Sequence, residues 1–192
     1  MNYQGSRTPR VSLAAGISLR LGRLLAQVLR IWPIFILPVV LLLPSIRSFP
    51  YPSAEAEFSD ILVSHYPYAL ELEKSLMEGR FPFWNPLILS GHPFAANPLA
   101  GVWYPFGWLA LLFPQPLGFN LLVLVHLVWG GVGLYKLLQR EGLLTEAALF
   151  GGLALSLLPK LYAHYGAGHL TLLYAVPWTP WLLLAAKKDK RF

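Results

Sequence analysis

Residues 118–138 read GFNLLVLVHLVWGGVGLYKLL, and Gln139 and Arg140 bring the run to a charged end. One cation, Lys136, stands near the end of an otherwise uncharged segment. That length and composition match the roughly 20 apolar residues an α-helix needs to cross a bilayer. The segment belongs to a longer tract. Positions 81–135 hold no Asp, Glu, Lys or Arg, a run of 55, and positions 161–186 hold another 26. The 192-residue chain is 56% hydrophobic and only 12% charged, against about 25% charged in an average soluble protein. So apolar a chain does not stay solvated as a disordered one. No heptads persist through its 17 prolines, which excludes a coiled coil. What remains is an all-α integral membrane protein with a polar exception at about 48–80.

Three further segments read as spans. The first is 24–46, where Arg30 snorkels toward the headgroups and Pro33, Pro38 and Pro44 predict a kinked helix. The second span is 118–138. The third is 143–160, with Thr145 as cap and Glu146 as first-turn acid. The fourth is 168–186. Residues 1–23 and the basic end, 187–192, are then cytoplasmic. With the N-terminus inside, Arg7, Arg10, Arg20, Arg23, Arg30, Lys136, Arg140, Lys187, Lys188, Lys190 and Arg191 face the cytoplasm. Arg47, Lys74, Arg80 and Lys160 face outward, so eleven cations stand against four, and the positive-inside rule selects this orientation. The net charge of +6 therefore reflects topology, and no nucleic-acid partner is expected. There is no cysteine, which excludes disulfides and thiolate chemistry. Ala54-Glu55-Ala56 has the form of a signal-peptide cleavage site, but a charged leader of about 30 residues is too long for one.

The external loop, 47–117, carries the candidate chemistry, including six of the nine acidic residues. Pro67 and Gly79 bracket a helix with an apolar stripe of Ala69, Leu72 and Leu76, expected to lie in the interface plane. After Arg80, the dense Pro and Gly content forbids a long helix, and Asn85-Pro86 and Asn97-Pro98 mark turns. Trp84, Trp103, Tyr104, Phe106 and Trp108 are too apolar for solvent, so this part should lie on the membrane face. Residues 102–113 read as a short or re-entrant helix.

Asp60 is the leading catalytic candidate. A carboxylate there can take a proton from an acceptor hydroxyl, or hold a divalent cation against a phosphate. It can equally cap a helix near Ile61, as can Ser59. Glu55 and Glu57 read as solvated loop charges. Arg80 suits a phosphate oxyanion or a snorkelling anchor, and the same choice applies to Lys160. His65, His92, His164 and His169 all fall on the external side, but the last two lack the i,i+4 spacing of a helical zinc site. They fit hydrogen bonding at a cavity mouth instead. His126 reads as a satisfied histidine inside a span, and Gly130, Gly131, Gly133, Gly151 and Gly152 as sites of close helix approach.

The ordered series Asp60, His65-Tyr66-Pro67-Tyr68, Gly79 through Pro86, Gly91-His92-Pro93, Asn97 and Gly101-Val102-Trp103-Tyr104-Pro105 resembles the start of the YfhO-like membrane proteins. The stretches 126–135, Gly168-His169-Leu170 and Trp178-Thr179-Pro180-Trp181 extend the resemblance, which covers 58–187. That family often has Gln where this chain has Ser64-His65. It is similar to the GT-C glycosyltransferases, which take sugars from polyprenyl-phosphate donors on the outer membrane face. The resemblance implies a catalytic acid in the first external loop, which is Asp60 here. It favours His169 as a site residue, and implies a bacterial cytoplasmic membrane and an N-terminal portion of a longer polytopic enzyme. The expected partners are a polyprenyl-phosphate-linked sugar, membrane lipid and an envelope glycan or polymer acceptor. Arg80, Lys160 and His169 would steady the phosphate, while Trp84, Asn85 and Tyr104 would seat lipid and sugar. A non-enzymatic transporter or assembly subunit, or an inactive truncated remnant, are the alternatives.

Overall fold

The computed structural model describes residues 13–47 and 59–187. The side chains of Arg20 and Arg23, and the whole of Arg7, Arg10, Glu55, Glu57, Lys188, Lys190, Arg191 and the 54–56 motif, lie outside the described residues. The chain divides into two compact units, Met1–Pro33 and Ile34–Phe192. The described part of the first is helical throughout. The described residues of the second are helices and turns, with a single isolated backbone bridge between Asn85 and His92.

The first helix, α1 (Leu13–Leu42), begins well before the expected 24–46 span. Its opening residues include Leu, Ala and Arg, which are strong helix formers, so helix extends into the charged segment. Pro33 and Pro38 lie within it, and a 3-10 turn at Leu43–Ser45 ends it. The segment that precedes α4 in the chain holds α2 (Tyr66–Met77), entered through a π-turn at Ile61–His65. It also holds the four-residue α3 (Pro105–Trp108), followed by a 3-10 turn at Leu109–Leu112. Then comes α4 (Leu117–Arg140), the one helix among the described residues long and apolar enough to cross a membrane. Its 24 residues cover about 36 Å.

The other expected spans differ. The 143–160 segment becomes α5 (Thr145–Ser156), whose 12 residues reach only about 18 Å. It stops because Pro159 disfavours helical geometry at Leu158, whose ψ is 114°. Thr145 is the first helical residue of α5 and Leu144 holds the cap position without a side-chain bond, so the expected Thr145 cap is corrected. A short α6 (Pro159–Ala167) follows. The 168–186 segment is broken into α7 (Leu170–Ala175), a 3-10 turn at Val176–Trp178 and α8 (Thr179–Ala186). Pro177 and Pro180 remove the backbone donors that would join them.

Helix α4 is the axis of the second unit. The glycines read from sequence let its neighbours approach. A Cβ on Gly131 would stand 2.9 Å from the Gly152 carbonyl oxygen of α5, and one on Gly130 would stand 2.9 Å from Pro177. Gly133 meets the Trp181 ring, whose Nε1–H donates to the Trp129 carbonyl. At the start of α4, buried Asn120 donates to the carbonyls of Ser45 and Ile46, each at 2.9 Å, and accepts from the Tyr165 hydroxyl. One buried amide thus ties the ends of α1 and α6 to α4. At the other end, Arg140 donates to the carbonyls of Leu184 and Lys187, and Lys187 pairs with Glu141. The C-terminal ends of α4 and α8 therefore share one end of the unit, with their cations.

Candidate active site

Asp60 opens the helix that carries α2. The capping question is decided by Ser59, whose Oγ accepts from the Ile61 N–H at 3.3 Å, while Asp60 makes no side-chain cap bond. The Asp60 carboxylate is thereby left for tertiary contact. The π-turn beside it has a local cause. Tyr66 N–H donates to the Ile61 carbonyl, one residue beyond the α-helical partner. Pro67 has no N–H to continue the ladder, so the wider turn forms immediately before it.

Opposite Asp60 stands the α6–α7 corner. Gly168 has φ +88, and a Cβ on it would stand 2.7 Å from the Ile61 nitrogen and 2.8 Å from the Asp60 nitrogen. Only glycine combines that backbone with that approach. The next residue, His169, brings Nε2 to 3.6 Å from Asp60 Oδ2. His169 Nδ1 is hydrogen-bonded to His164 Nδ1 at 2.8 Å. Asp60, His169 and His164 form a row, its first two members about half exposed.

The row stands in series rather than around a common point. Among the described residues no group of three or more His, Cys, Asp or Glu could hold a metal ion. Asp60 is the one carboxylate in the row, and the two histidines turn their Nδ1 atoms toward each other.

His65 connects the row to an apolar cavity of about 280 Å³. The stripe Ile61, His65, Ala69, Leu72 faces inward, and His65 lines the cavity with Leu99, Leu111, Phe119, Tyr104 and Tyr174. Burial pushes the His65 imidazole below the ordinary value of 6.5; its hydrogen bond to the Leu99 backbone and the nearby Asp60 charge oppose that shift. Had the helix been started at Asp60 rather than Pro67, the i, i+4, i+8 pattern would have placed His65 on this face.

Tyr104 forms the other wall. His126 Nδ1 lies 2.7 Å from the Leu122 carbonyl, which can only accept, so Nδ1 carries the proton. His126 Nε2 then accepts from the Tyr104 hydroxyl at 2.5 Å, and that hydroxyl accepts from Trp178 Nε1–H at 3.0 Å. His126 is satisfied as expected, but by its own helix and a loop tyrosine. Tyr174 emerges only from the fold, as does the contact of Trp178 with Tyr104.

The remaining sequence candidates lie elsewhere. Arg80 is held at the surface by Glu78, whose carboxylate is lowered below its usual range first by that hydrogen bond. Asn85 is 3% exposed, and its Oδ1 accepts from the Leu87 N–H in the turn expected at Asn-Pro. Both are committed to local structure. Trp84 packs over Gly91, where a Cβ would stand 2.6 Å from the ring. Lys160 is exposed in the first turn of α6, one turn before His164. His92 is flanked by the rings of Tyr68 and Phe94, with centroids 6.4 and 6.2 Å away.

Comparison of the chain with protein-family models, with curated proteins and with solved structures returned no match.

Proposed function

We propose that this protein is an integral membrane glycosyltransferase resembling the YfhO-like and GT-C enzymes, with Asp60 as general base at the outer face. The observation that carries the reading is that Asp60, released from capping by Ser59, faces His169 beside an apolar cavity. The donor is a sugar on a polyprenyl phosphate, and the acceptor is an envelope glycan or polymer. The acceptor hydroxyl loses its proton to the Asp60 carboxylate as its oxygen attacks the anomeric carbon. The bond from that carbon to the phosphate oxygen breaks, and the polyprenyl phosphate leaves with the electron pair. His169 positions the carboxylate, and His164 positions His169. The apolar cavity suits the donor's isoprenoid chain, with Tyr104 in its wall. Rate acceleration comes from positioning and charge, without a protein nucleophile.

The topology proposed with it has the N-terminus inside and four crossings at 24–46, 118–138, 143–160 and 168–186. Among the described residues, α4 is the helix both long and apolar enough to cross by itself. The broken third and fourth crossings suit a protein that lines a cavity at membrane depth.

The test is sugar transfer by the native protein that carries this sequence, reconstituted in membranes, using a panel of polyprenyl-phosphate hexoses labelled in the sugar. Asp60→Asn is expected to lower the transfer rate by about 10²–10⁴-fold, the usual contribution of a positioned base, at unchanged protein level. Undiminished transfer removes Asp60 from the mechanism, and no transfer from any donor by the unaltered native protein overturns the reading.

A further inference from the structure

The contacts between the external loop and α4 fix the loop's depth. Lys136 marks the end of the charge-free stretch of α4. Leu117, the first residue of α4, lies about 29 Å away along the axis, the thickness of a hydrocarbon core. His126 is about 14 Å from Leu117, near the middle of that distance. Yet His126 is hydrogen-bonded to Tyr104, a residue of the external loop.

The chain between Tyr104 and α4 climbs back along the helix. Gly118 has no Cβ, and one placed there would overlap the Ala110 carbonyl. Gln115 closes the corner, donating to Ala110 O at 2.8 Å and accepting from the Phe119 N–H at 3.1 Å. Ala110 is thus level with the start of α4, and Tyr104 is level with its middle. Between those two tethers, Pro105–Trp108 and the first two residues of Leu109–Leu112 rise about 10 Å, close to the roughly 12 Å that separates Gly118 from His126 along α4.

The segment has two faces. Ala110 is buried, and Leu111 packs on the core that includes Phe119 and Val123. Phe106, Leu109 and Leu112, spaced by three, are 54%, 52% and 73% exposed. The backbone is bonded within the segment, as in Gly107 N–H to Tyr104 O and Leu109 N–H to Phe106 O. These bonds lower the cost of placing the peptide groups in hydrocarbon. Positions 81–135 carry no charge to resist insertion.

We propose that residues 102–113 are re-entrant, that they descend to the middle of the bilayer at Tyr104, and that Phe106, Leu109 and Leu112 face lipid acyl chains. The inference rests on the reading of α4 as a crossing, and is independent of glycosyl transfer.

The chain has no cysteine, so single cysteines can be spin-labelled without background. Phe106→Cys, Leu109→Cys, Leu112→Cys, Val125→Cys and Lys74→Cys would each be labelled with a nitroxide in phosphatidylcholine vesicles. Collision with oxygen, which concentrates in lipid, is compared with collision with a water-soluble nickel chelate. Val125 is 60% exposed at the middle of α4 and Lys74 is an exposed residue of α2, so they serve as references. The labels at 106 and 109 are expected to match Val125, with an oxygen-to-nickel ratio several-fold above that at Lys74, and the ratio should fall from 106 to 112. Labels at 106 and 109 that match Lys74, while Val125 reads lipid, overturn the re-entrant segment alone. If Val125 also reads water, α4 is not a crossing and the inference falls with it.

Discussion

At the residue scale, the site depends on which of two neighbouring side chains caps a helix. Ser59 and Asp60 are equal candidates by type, and the cap falls to Ser59. That choice, with the αL glycine at 168, brings Asp60 to His169 across more than a hundred residues of chain. Asp60 and His169 were both legible as candidates, but their pairing was not, because sequence spacing carries no information about which corner meets which helix end. His65 supplies a pH prediction. Its folded-state pKa is depressed by burial, so the unfolded chain binds more protons just below the ordinary value. Stability is therefore complete above about pH 6.5 and declines as the pH falls through the interval below it. The thermal unfolding midpoint in detergent should drop from about pH 7.5 to about pH 5.5, and His65→Gln should flatten part of that slope. An unchanged slope in the variant would assign the loss to other groups.

At the element scale, the apolar pattern located the helical segments but misjudged their continuity. Pro159 and Pro177 each end an element inside a tract that hydropathy alone treats as uniform. The π-turn before Pro67 is the same effect at the entrance to α2, moving the helix start to Asp60. Glycine placement was more readable, since its use at the α4–α5 crossing follows from side-chain size. Gly131→Val should lower the unfolding free energy by about 1–3 kcal/mol, because the obstacle is the Gly152 carbonyl, a backbone atom that cannot swing aside. Gly22 in α1 has nothing within 4 Å of such a Cβ, and Gly22→Ala should leave stability unchanged or raise it by up to about 1 kcal/mol. Equal effects from the two substitutions, read from denaturant unfolding in detergent, would remove close packing as the explanation.

At the scale of the whole molecule, the question is which ends face which side. Arg140 and Lys187 share one end of the second unit, while Asn120 and the end of α1 lie at the other end of α4. The proposed orientation predicts that a membrane-impermeant maleimide labels Lys74→Cys in intact cells, and Arg140→Cys only after permeabilisation. The reverse pattern would invert the topology, and labelling of both from outside would remove α4 as a crossing. Composition alone determined that the chain is helical and apolar, because charge-free tracts of this length leave few other ways to satisfy the backbone. It also marked Asp60, His169 and the close-packing glycines, whose residue types suit their roles wherever the chain carries them. The tertiary structure decided what they meet: Asp60 with His169, Tyr104 with His126, Gly131 with Gly152. Each pair joins segments distant in sequence, and local preference cannot set such distances. Packing around α4 sets them, by bringing backbones close where glycine permits it.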